Sequence, residues 1–62
     1  MTFDELKSTP LVRGYLIEND LMGADQRTII KRLLADFPRF MALAHTVDAE
    51  AAQKAFDELG LD

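Results

Sequence analysis

The chain has 62 residues, a formal net charge of −4, 48% hydrophobic and 29% charged residues, and no cysteine. A chain this short buries only about 60% of the surface its unfolded form exposes, so residues 1–62 form one domain around one marginal core. No disulfide and no thiolate nucleophile are available, and His45, the single histidine, cannot assemble a structural zinc site.

The first residues, Met1-Thr2-Phe3-Asp4-Glu5-Leu6, are acidic where a secretory signal is basic, and no apolar stretch follows them. The longest uninterrupted apolar run, Phe40 to Ala44, is far short of the roughly 20 residues that cross a bilayer. These features predict a cytoplasmic protein without a membrane segment. An acidic chain is repelled by anionic lipid and by nucleic-acid backbones unless positive charge is gathered locally.

Eight Ala and nine Leu against five Val and Ile favour helix over sheet, and no run alternates with period two. Thr2 and Glu5 fit a capping box, with Met1 and Leu6 as a hydrophobic staple, predicting a first helix from Phe3 to Ser8. Thr9 then caps a second helix with Pro10 at its first position, running to Met22 and stopping at Gly23. Asp25 caps a third helix that ends at Ala35 or Asp36, where Pro38 interrupts the pattern. A fourth segment from Phe37 to His45 is either a short helix or a kinked extension of the third. Asp48 caps the last helix, Ala49 to Leu59, which closes with Gly60 in the left-handed conformation and Leu61 folded back on Phe56. The fold class predicted is all-α, a compact bundle of four or five short helices.

Helical wheels assign the faces. The third helix gathers Ile29, Ile30, Leu33, Leu34 and Phe37 within about 140°, with Arg27, Thr28, Lys31, Arg32 and Ala35 opposite. The last helix turns Ala49, Ala51, Ala52, Ala55, Phe56 and Leu59 to one side. In the fourth segment Phe40, Met41, Leu43, Ala44 and Val47 face inward, which leaves His45 in solvent. The second helix is apolar on two sides. Leu11, Val12, Tyr15, Leu16 and Met22 make one stripe; Pro10, Gly14, Ile17 and Leu21 make another. That second stripe is either covered by the first helix, through Phe3 and Leu6, or shared with a partner. Gly14 favours a close packing contact, because a helix-interior glycine costs roughly 1 kcal/mol relative to Ala.

Charge is unevenly distributed. Residues 1–26 carry −3 and residues 46–62 carry −4, whereas residues 27–45 carry +3 through Arg27, Lys31, Arg32 and Arg39 against Asp36. Arg27 and Lys31 lie one turn apart and share a face suited to phosphates or carboxylates; the plainer reading is a solvated helix back. Met22-Gly23-Ala24, joining the second and third helices, matches the short turn of a helix-turn-helix, yet DNA-binding domains are basic overall.

Catalytic patterns are lacking. Ser8 has no indicated base, the carboxylate pairs Asp4-Glu5 and Asp57-Glu58 fit solvated helix turns, and Gly14, Gly23 and Gly60 are isolated rather than gathered in a phosphate loop. Glu18-Asn19-Asp20 is not a calcium loop. The sequence reads as a non-enzymatic regulatory or adaptor protein that needs no metal or cofactor and binds another protein, a homodimer included, through Pro10, Gly14, Ile17 and Leu21. A nucleic-acid-binding regulator using Arg27, Lys31, Arg32 and Arg39 is the alternative, and a structural subunit of a larger assembly is a third.

Overall fold

Local signals at the helix ends set the architecture of the computed structural model, which describes residues 1–60. Five α-helices follow one another: α1 Phe3–Ser8, α2 Pro10–Glu18, α3 Gln26–Asp36, α4 Met41–Val47 and α5 Ala49–Leu59, with a 3-10 turn at Pro38–Phe40 leading into α4. No strand occurs among the described residues. The all-α bundle read from composition is the fold observed.

The Thr2 hydroxyl accepts from the Glu5 amide at 3.2 Å and so caps α1. Asp25 and Asp48 accept from the Thr28 and Ala51 amides at 2.9 and 3.0 Å, filling the unpaired donors at the starts of α3 and α5. Thr9 departs from its expected role. Its hydroxyl donates backward to the Glu5 carbonyl at 3.2 Å, closing α1, and makes no side-chain cap on α2. Pro10 at the first position of α2 has no amide hydrogen, so one of the donors that a helix start leaves unpaired is absent there.

The end of α2 corrects the sequence reading by four residues. The helix stops at Glu18, not Met22, because Asp20 takes a left-handed conformation with φ 55°. The Leu21 amide then donates to the Leu16 carbonyl at 2.8 Å and the Asp20 amide to the Ile17 carbonyl at 3.2 Å. This is the Schellman pattern with aspartate in the place usually held by glycine; Asp is among the few other residues that tolerate that region. The motif's apolar partners, Leu16 and Leu21, both lie in the core. Gly60 closes α5 as expected, with φ 68° and its amide donating to the Phe56 carbonyl; the expected packing of Leu61 lies outside the described residues.

Pro38 ends α3 by its effect on Phe37, which adopts φ −132° and ψ 72° because a residue before proline is pushed out of the helical region. The segment that follows is a separate element and not an extension of α3.

The helix buried on two sides is α3, where the wheel had pointed to α2. Ile29 and Leu33 pack with Leu6 of α1, Val12 and Leu16 of α2, and Leu21. Ile30 and Leu34 pack with Ala44 of α4 and Ala51, Ala52 and Ala55 of α5. The 140° arc is wide enough to serve both neighbours. Phe40 and Val47 seal the junction, touching both clusters. Alanines on α5 let it approach α3 closely, and these two helices make the most extensive contact in the molecule.

Candidate functional site

On α2, Val12 and Leu16 are fully buried, which fixes the outward direction of the helix. With about 100° per residue, that outer side runs Ile17, Pro10, Gly14, Glu18 and Leu11, with Gly14 centred opposite the core. Ile17 is 59% exposed and Leu11 48%. Pro10 and Gly14 are also exposed. A methyl group added at Gly14 would meet nothing within 4 Å, so no close approach inside the chain accounts for this glycine.

The four residues expected to form the apolar stripe therefore separate. Pro10, Gly14 and Ile17 stay together at the surface, uncovered by α1. Leu21 does not join them: it is buried beside Leu16, since α2 has already ended and the chain has turned back. Leu11 and Met22, expected to face the core, are exposed instead, Met22 at 43%. Leu11 lies about 120° around the helix from the Val12–Leu16 direction, and Met22 lies beyond the helix altogether.

Beside this face a shallow groove of about 240 Å³ is lined by Pro10, Leu11, Gly14, Tyr15, Glu18 and Phe37. Its aromatic wall is built from several elements. The Tyr15 and Phe37 rings meet edge to face at 5.4 Å between centroids, and Phe40 stands 5.7 Å from Phe37. The Arg39 guanidinium lies over Phe37 and Phe40 at 5.4 and 5.3 Å. The Tyr15 hydroxyl donates to the Asp36 carboxylate and is also 3.0 Å from the Arg32 carbonyl. Burial, then the bond to Asp36, pushes the Tyr15 hydroxyl above its usual pKa.

The basic residues do not converge on one face. Arg27 and Lys31 border a groove of about 160 Å³ between α3 and α5, joined there by Lys54 and Glu58. Lys31 pairs with Glu58 at 2.7 Å, and its hydrogen bond and charge hold that carboxyl below the usual range. Arg27 also lies within electrostatic reach of Asp25, Asp48 and Glu58. Arg39 sits over its aromatic rings and does not line this groove, and Arg32 is exposed on α3. With α2 ending at Glu18, the connection to α3 runs from Asn19 to Asp25, longer than the three- or four-residue turn of a helix-turn-helix. Lys54 was not singled out in the sequence because it is the one cation in an otherwise acidic segment.

His45 is exposed, as its wheel position implies. No group of three metal-ligating side chains occurs among the described residues. No described helix is long and apolar enough to cross a membrane. No family model, curated protein or solved structure matches this chain.

Proposed function

We propose that this chain is a small, non-enzymatic, cytoplasmic regulatory or adaptor protein that acts by binding another protein through the outer face of α2, with a homodimer as one form of that binding. The observation carrying the reading is the pair Leu11 and Ile17, both large, apolar and about half exposed, on either side of an unobstructed Gly14. Scattered apolar residues are ordinary at protein surfaces; a contiguous patch supports association. The adjoining aromatic groove extends the patch, and Arg13 beside it and Glu18 within it supply charge for orientation.

Ile17→Glu is the informative variant. Its side chain points away from the core, so the fold should survive with a change within about 0.5 kcal/mol. Sedimentation equilibrium of the wild type and the variant reads self-association, and capture of binding proteins on each reads hetero-association. Loss of either form of binding in the folded variant supports the proposal. A wild type that is monomeric at high concentration and captures the same proteins as the variant overturns it.

A further inference from the structure

We infer that α1 and α2 detach from the rest of the molecule as a single cooperative unit, and that Tyr15 is the latch holding them closed. The inference is independent of what α2 binds.

Three features lead to it. First, the core is divided along α3. Leu6, Val12, Leu16 and Leu21 share one cluster with Ile29 and Leu33, flanked by Phe37, Phe40, Leu43 and Val47. Ile30, Leu34 and the alanines of α4 and α5 form a second, so α1 and α2 are held to the rest of the molecule through the first cluster alone. Second, α1 and α2 pack closely on one another, α3 and α5 do likewise, and α2 makes little close backbone approach to α3. The junction between the two halves is made by the side chains of the first cluster. Third, among the described residues the only side-chain hydrogen bonds from α1 or α2 to another helix come from one atom. The Tyr15 hydroxyl reaches the Asp36 carboxylate and the Arg32 carbonyl, both in the last turns of α3, while its ring edge meets Phe37. Every other such bond from α1 or α2 stays within that pair of helices.

Proteins open locally in contiguous units whose boundaries follow weak internal contacts. Here the boundary falls along the Ile29–Leu33 side of α3, and the seven-residue connection Asn19–Asp25 supplies the hinge. Opening uncovers Ile29 and Leu33 but leaves the second cluster in place. Tyr15 sits at the far end of α3 from that hinge, where a single tether has the greatest leverage over the open and closed states.

Native-state hydrogen exchange of the full chain in increasing sub-denaturing urea tests this. The expected result is two classes of protected amide. Those of α2 exchange through an opening with a shallower urea dependence than those of the Ile30–Leu34 turns and of α5, which exchange only with global unfolding. Tyr15→Phe, which keeps the ring but loses the hydroxyl and the one proton it shares between the two acceptors, should speed exchange in α2 by about fivefold and leave the ratio of α5 exchange to global unfolding unchanged. A single urea dependence shared by α2 and α5 in the wild type overturns the cooperative unit, whether or not the variant folds. Equal acceleration of both regions in Tyr15→Phe overturns the latch.

Discussion

The side-chain amide of Gln26, first residue of α3, donates to the carboxylate of Asp48 at 2.5 Å, while the other oxygen of that carboxylate caps α5. Asp48 also ends α4, its own amide donating to the Ala44 carbonyl at 2.8 Å. One residue thus fixes the junction of three helices. Its extended backbone, φ −156° and ψ 93°, is what lets it end one helix and start the next.

Asp48→Ala is therefore expected to lower the thermal midpoint more than Asp25→Ala, because Asp25 caps α3 alone. Asp48→Asn should lose less than Asp48→Ala, since an amide oxygen still accepts from Ala51. Circular dichroism melts of the three variants check the order; equal losses for Asp25→Ala and Asp48→Ala would separate the Gln26 bond from stability.

The same carboxylates set an acid limit. Hydrogen bonds from Thr28 hold Asp25 below its ordinary value of 3.8, and the Ala51 amide, then Gln26, do the same for Asp48. A carboxyl with a lowered folded-state pKa binds its proton more readily when unfolded, so its contribution is complete above the ordinary value and is lost as pH falls through the folded one. The contribution of these two carboxylates should hold at pH 5 to 7 and decline below about pH 4. Asp48→Asn should show a shallower decline across that range in urea titrations.

Gly14→Ala should stabilise the monomer by about 0.4–1 kcal/mol, because the site is helical and open and the substitution restricts the unfolded chain. If the α2 face packs closely on a partner, the same methyl weakens binding. Opposite signs in a melting curve and a binding titration are the expected pattern.

Leu33→Ala should come near to unfolding the protein. A leucine-to-alanine change in a core costs about 2–5 kcal/mol, and a domain of this length has about 3–9 kcal/mol to lose. Leu33 is 1% exposed among residues from four elements of the first cluster. Urea unfolding at pH 7 measures the loss directly.

At Asp20, φ 55° predicts a split between substitutions. Asp20→Gly should be neutral or slightly stabilising, while Asp20→Val should cost about 1–2 kcal/mol, since a branched side chain resists the left-handed region. Equal effects would mean that the turn after α2 rearranges.

The helix order, four of the five helix starts, the inward face of α3 and that of α5 apart from the exposed Ala49 were legible in the sequence, because caps and wheel periodicity are local properties. The end of α2 was not. Asp20 carries no glycine-like marker, so the apolar residues Leu21 and Met22 looked like a continuing helix. That one misplaced boundary put Leu21 on the surface stripe and Met22 in the core. It also shortened the link to α3 enough to suggest a helix-turn-helix. Which helix was central could not be read from one wheel at a time, because α3's single broad arc becomes two contacts only when neighbours arrive on both of its edges. The stripe of Pro10, Gly14 and Ile17 was legible; Leu11 and the aromatic wall around Phe37 depended on tertiary packing.

Ile29 and Ile30 are successive in the chain, both fully buried, and they belong to different clusters. Isotope labels on their methyl groups would accordingly behave as two independent gauges, mounted one peptide apart but facing opposite compartments. A perturbation arriving from α1 and α2 would register on the first and one arriving from α5 on the second, so a pair of neighbouring signals suffices to tell from which direction a disturbance enters this protein.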